Sequence, residues 1–211
     1  MDIHDDHPDL PRLAAEGRIV AYFGYGSLVN RRTLRTKFLG IRRARVEGWR
    51  RFWLPREASA AMALLSVHPS DTHAVEGVVV YDLADHLPSV DEREAGYSRR
   101  IVDLACLQIE TPPVTGVPLY IYEAHRGAAD ASDMQAAILQ SYLDAVMQGF
   151  HTLYGAAGLR RFVDQTHGFE TAVLRDRAAP RYPRAVNLDP HEADLFDRLV
   201  VDRGARFVDP D

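Results

Sequence analysis

Cysteine is nearly absent from this chain: one residue, Cys106, in 211. A single thiol cannot close an internal disulfide, which excludes a disulfide-stapled scaffold and points to a reducing compartment. The segment from Ile101 to Leu107 reads as a strand, and Cys106 within it as a small buried hydrophobe rather than a nucleophile. Long apolar runs are missing too, and no stretch approaches the roughly 20 apolar residues of a membrane-spanning helix. The start, Met1-Asp2-Ile3-His4-Asp5-Asp6-His7, is acidic and lacks the apolar core of a signal peptide. The expectation is a cytoplasmic protein without membrane contact. Positive charge is not in excess either. Lys and Arg number 25 against 30 Asp and Glu, a net charge of -5 with no basic stripe, so nucleic acid is not an expected partner.

Several chemistries lack their motif. No glycine-rich loop ends in the Gly-Lys-Ser or Gly-Lys-Thr of a phosphate-binding P-loop. Gly24 and Gly26 are not followed by the third glycine of a dinucleotide fingerprint, because that position is Val29. Ser27 has Tyr25 and Val29 where a nucleophile elbow needs glycines. The nine histidines are scattered; His4 and His7 read as solvated terminal side chains, and His191-Glu192 does not extend to a zinc motif because position 195 is Leu195. No metal or other cofactor is expected.

What is present fits one globular core. Hydrophobic residues make up 46% and charged residues 26%, and the length suits one sizeable core better than two independent domains. The reading is a single domain over 18–211, with a core at 18–125 and a helical extension at 126–211, after a polar lead-in at 1–17 with little structure. An apolar run from Arg18 to Gly24 predicts a buried strand. Asn30 is placed to cap a short helix through Phe38, ended by Gly40. Further strands are expected at Ala44 to Leu54, Ala61 to Val67, Ala74 to Tyr81, Arg99 to Glu110 and Pro118 to Ala124. A short helix falls between His86 and Ala95. Strands in such close succession predict an α+β fold: a small mixed or antiparallel sheet, barrel-like in its curl, flanked by helices.

After residue 126 the pattern turns helical. Ser132 and Gln135 form a capping-box signature, and Met134, Ile138, Tyr142, Val146 and Phe150 recur at helical spacing. This predicts one long amphipathic helix that covers the sheet. A second helix is expected over Ala156 to Asp164, then a loop from Arg175 to Asn187 containing Pro180-Arg181-Tyr182-Pro183-Arg184. The last helix has Asp189 as cap, Pro190 in its first turn, Glu192 as capping-box partner and Gly204 as stop.

Two segments carry chemistry. Phe23-Gly24-Tyr25-Gly26-Ser27-Leu28 follows the first strand directly. Its glycines let the backbone turn tightly and approach a ligand, and backbone N–H groups in such a turn can cradle a carboxylate or an oxyanion. Asp91-Glu92-Arg93-Glu94-Ala95-Gly96-Tyr97 is the second. If it is helical, Asp91 and Glu94 share a face and Glu92 points elsewhere. Each segment alone is more often structural than functional.

Together, in order, they resemble the gamma-glutamylcyclotransferases and their AIG2-like and ChaC-like relatives. The resemblance includes Gly48-Trp49-Arg50-Arg51-Phe52, a glycine-aromatic-arginine run, and Leu119-Tyr120-Ile121-Tyr122-Glu123-Ala124, a tyrosine-bearing late strand. It covers roughly residues 18–125. Ala95, where the family often has glycine after its glutamate, and the tail beyond 126 depart from it. The resemblance implies a cofactor-free enzyme that releases 5-oxoproline from a small gamma-glutamyl amide. It implies Glu94 as the general acid–base, with Asp91 next in rank. Tyr25, Gly26, Ser27, Leu28 and Tyr122 would hold the substrate, and Tyr120 lies on the same strand face as Tyr122. A gamma-glutamyl-amine or biosynthetic relative, or an inactive binding module of the same fold, are the alternatives it leaves open.

Overall fold

Residues 5–34, 37–56, 59–94, 96–125 and 136–210 are described by the computed structural model. In chain order the elements are helix α1 (Leu10–Ala15), strands β1 (Ile19–Gly24), β2 (Gly40–Arg56) and β3 (Ser59–Leu83), and helix α2 (Leu87–Arg93). Strands β4 (Tyr97–Ile101), β5 (Leu107–Ile109), β6 (Leu119–Ala124) and β7 (Ala137–Leu139) follow, then helix α3 (Gln140–Gln165). Strands β8 (Thr166–His167) and β9 (Ala172–Leu174), helix α4 (Pro190–Val201) and strand β10 (Phe207–Val208) complete the chain. The result is the expected α+β fold, a mixed sheet flanked by helices. The chain divides into two compact units, one of residues 1–25, 35–50 and 67–125, the other of 26–34, 51–66 and 126–211. The segment after 126 therefore groups with two pieces of the earlier chain, and β2 and β3 contribute residues to both units.

In the first unit β1 is central because all six of its residues are apolar or glycine, and all six are buried. It pairs antiparallel with β3, Ile19 opposite Leu83 and Gly24 opposite Val78. On its other side it runs parallel to β6, Tyr22 opposite Tyr120. Strand β4 closes that edge, antiparallel to β6 with Arg99 opposite Tyr122. Tyr22, Ile41, Tyr81, Leu119 and Ile121 fill the core.

In the second unit four pairings are recorded as parallel: β8 with β2, β7 with β3, β9 with β7 and β10 with β9. Phe150, Phe162, Phe169 and Trp53 are fully buried, and Phe162 stacks on Phe150 with centroids 4.5 Å apart. The buried Arg51 guanidinium lies over both rings, at 4.8 and 4.9 Å.

Some expectations need correction. The lead-in contains α1, whose Leu10 and Leu13 are buried. Asn30 caps a single 3-10 turn, Arg31–Thr33, accepting from the Arg32 N–H, and Gly40 opens β2 instead of ending a helix. The two strands expected between Ala61 and Tyr81 are one, because Pro69, Ser70 and Asp71 are accommodated within β3. Cys106 lies half-buried in a 3-10 turn, Leu104–Cys106, since Asp103 caps the Ala105 N–H and breaks the expected strand.

The largest change concerns α3. Met134, Ser132 and Gln135 lie outside the described residues. Ile138 is in β7, and the helix starts only at Gln140. Its first half is not amphipathic: every residue from Gln140 to Phe150 except Tyr142 is buried, including Ser141, Asp144 and Gln148. Their polar groups are paired internally, so spacing alone mistook them for a solvated face. The expected second helix is the far half of α3, separated by Gly155 at φ 68° and ψ −175°. That left-handed backbone would strain any side chain. Helix α4 carries the expected capping box between Asp189 and Glu192.

Candidate functional site

In the first unit Tyr122 and Arg99 converge on Asp91. Helix α2 stops at Arg93, so Glu94 is its C-cap, at φ −90° and ψ 25°. Its backbone is held at both ends: the Glu94 N–H donates to Val90 O at 2.9 Å, and Glu94 O accepts from the Tyr97 N–H at 2.9 Å. The side chain is half-buried. The hydroxyl of Tyr122 donates to Asp91 Oδ1 at 2.7 Å, and the Arg99 guanidinium donates to Asp91 Oδ2 at 2.6 Å. Arg99 also lies over the Tyr120 ring, 4.7 Å from its centroid. Tyr122 and Tyr120 are thus separated by task, one bonded to the carboxylate and the other stacked on the cation. Burial, reinforced by the Asp91 bond, pushes the Tyr122 phenol well above its ordinary range. It therefore stays protonated at neutral pH and is a donor.

Tyr25 is buried, and its hydroxyl donates to the Tyr122 carbonyl at 2.6 Å. That bond ties the start of the loop to β6.

In the second unit Ser27–Val29 forms a 3-10 turn. The turn's own carbonyls serve the Val29 and Asn30 N–H groups at 3.1 and 3.0 Å. The N–H groups of Ser27 and Leu28, at its start, have no partner within it. The Thr33 hydroxyl donates to Ser27 O at 2.6 Å. Asn30 donates from Nδ2 to Ala145 O at 2.8 Å and to Gln148 Oε1 at 3.2 Å. Those bonds need close approach to α3, and Gly149 permits it: a Cβ there would lie 2.7 Å from the Asn30 nitrogen. On the same helix the Tyr142 hydroxyl would meet a Cβ placed on Gly26 at 3.0 Å.

Sequence reasoning missed Asn30, Tyr142 and Gly149 as parts of this loop's support. One signal was available. Glycine inside a helix costs about 1 kcal/mol relative to alanine, so Gly149 in a helical pattern points to a close packing contact.

The family model for gamma-glutamyl cyclotransferase, AIG2-like, matches residues 22–139, more than half of the chain. The chain belongs to this family. A solved structure described as gamma-glutamyl cyclotransferase is similar with a TM-score of 0.52 and 14% identity, over 85% of this chain and 99% of that one. An uncharacterized protein from Homo sapiens gives a TM-score of 0.52 and 15% identity over the same shares. YkqA from Bacillus subtilis gives 0.53 and 16%, over 74% of this chain and 59% of that one. At these identities the likeness is one of fold. No curated protein matches. Among the described residues no helix is long and apolar enough to cross a membrane.

Proposed function

We propose that the chain is a gamma-glutamylcyclotransferase that releases 5-oxoproline from a small gamma-glutamyl amide. The observation that carries the reading is the family match over residues 22–139, which spans the loop, Glu94 and Tyr122. In this reading the substrate's own α-amine attacks its γ-carbonyl. A carbon–nitrogen bond forms, the original amide carbon–nitrogen bond breaks, and the lactam and a free amine leave. Folding the chain back on itself supplies the high effective molarity that replaces a strong nucleophile.

The amine attacks only after losing a proton. Glu94 takes that proton and later returns one to the departing nitrogen. Asp91 is less suited, because its two oxygens already accept from Tyr122 and Arg99. The loop Tyr25-Gly26-Ser27-Leu28 holds the gamma-glutamyl group. The Ser27 and Leu28 N–H groups are the donors for the negative oxygen of the tetrahedral intermediate, a role worth about 3–4 kcal/mol per donor elsewhere. Tyr122 holds the substrate near the base.

The test is incubation of the purified protein with a panel of gamma-glutamyl amino acids, peptides and amines, with 5-oxoproline detected by chromatography. Release from at least one compound is expected. No release from any member of the panel, by folded protein, overturns the reading.

A further inference from the structure

An aromatic chain in the second unit leads away from Gly26 and ends on a cation. Tyr142, whose hydroxyl lies against Gly26, meets Trp53 edge-on at 6.0 Å and Tyr182 at 5.0 Å between centroids. Trp53 in turn meets Phe169 at 5.9 Å. The Arg184 guanidinium sits over the Tyr182 ring, 5.4 Å from its centroid. Two donors in this cluster, Trp53 Nε1 and Tyr182 Oη, are buried with no hydrogen-bond partner among the described residues. Leaving such donors unmatched costs free energy, which a bound group carrying acceptors recovers.

The arginines nearby differ. Arg177 is held by Asp144 at 2.7 Å and Asp197 at 2.6 Å. Arg184 has no carboxylate partner among the described residues; its recorded contact is the tyrosine face. A guanidinium stacked on a ring keeps its planar fork of donors available to a carboxylate. The backbone behind Tyr182 is fixed, since Asp176 Oδ2 accepts from the Arg181 N–H at 3.0 Å and Ser141 Oγ accepts from the Tyr182 N–H at 3.2 Å.

We propose that Tyr182 and Arg184 form the subsite for the departing amine and select substrates whose amine carries a carboxylate, an amino acid or peptide in place of a simple amine. This rests on the reading of the loop as the gamma-glutamyl site. A substrate held at Gly26 and extended along Tyr142 and Tyr182 brings its far end to Arg184. There a carboxylate gains a charge-assisted bond that a simple amine cannot make.

Gamma-glutamylalanine and gamma-glutamylethylamide differ only by that carboxylate. Their kcat/KM for 5-oxoproline release, and their binding by calorimetry, are compared in the wild-type protein and in Arg184→Gln, Arg184→Lys and Tyr182→Ala. The wild type should prefer the alanine compound by about tenfold or more. Arg184→Gln and Tyr182→Ala should bring the two within about threefold of parity, while Arg184→Lys, which keeps the charge but loses the stacked planar fork, keeps only part of the preference. Parity in the wild type, or an undiminished preference in folded Arg184→Gln, overturns the proposal. If neither compound yields 5-oxoproline but the binding preference and its loss are seen, the subsite stands and the catalytic reading fails. If neither compound binds, both fail.

Discussion

Arg99 and Arg177 each hold an aspartate, Asp91 at 2.6 Å and Asp144 at 2.7 Å. The surroundings separate them. The Asp91 side chain keeps 41% of its surface exposed, whereas Asp144 keeps 3%. Asp144 is built into the interior: Arg177 binds both its oxygens and reaches Asp197, which also accepts from Gln140. Burial pushes the Asp144 carboxyl upward against the pull of Arg177. Asp91 instead receives the Tyr122 hydroxyl at a partly exposed position. The same pair of charges is thus an internal brace in one unit and a half-exposed pair, next in the chain to the proposed site, in the other. Removing a partner from the brace should cost folding, and removing one from the half-exposed pair should cost activity.

That contrast can be broken by substitution. Asp144→Asn takes from Arg177 the buried carboxylate that accepts from it with both oxygens, and the loss of a buried ion-pair partner costs about 3–5 kcal/mol. A drop in melting temperature of about 6–20 °C is expected by calorimetry; an unshifted midpoint would show that the cluster braces nothing. Gly26→Val pushes a side chain into the Tyr142 hydroxyl and Leu65. Displacing the loop by an ångström should lower kcat/KM about a hundredfold. Ser27→Ala, whose main chain makes the recorded bonds, should cost far less. The reverse order in steady-state kinetics would give the Ser27 hydroxyl a direct role.

Tyr122→Phe removes the donor to Asp91 and should reduce kcat/KM about tenfold. Little change would take Tyr122 out of the site. The smallest effect belongs to Asp91→Asn on stability. A pair this exposed contributes about 1 kcal/mol or less, so chemical denaturation should give a midpoint near that of the wild type. A loss as large as that of Asp144→Asn would erase the distinction between the two clusters.

Residues with one consequence were legible in the sequence. The run from Ile19 to Gly24 could only be a buried strand, and the Asp189 to Glu192 box could only start a helix. The loop at Tyr25 and the end of α2 near Glu94 were visible for the same reason, since glycine and capping chemistry act locally. Long-range pairing was hidden. Nothing local says that Ser141, Asp144 and Gln148 turn inward, because their partners Asp176, Arg177 and Asn187 lie more than 30 positions away. Pattern alone therefore gave the first half of α3 a wet face it does not have. The support of the loop was invisible likewise: Asn30 meets Ala145 and Gln148 across more than 110 positions. The position of the Tyr182 ring is also set by packing on Tyr142, not by spacing.

The most direct test of the account is 5-oxoproline release by the wild type and by Glu94→Gln, measured side by side on the best substrate of the panel. General acid–base groups typically contribute about a hundredfold to ten-thousandfold. The account predicts a fall in kcat of that order with an unchanged melting temperature. Near-normal turnover by folded Glu94→Gln would contradict it.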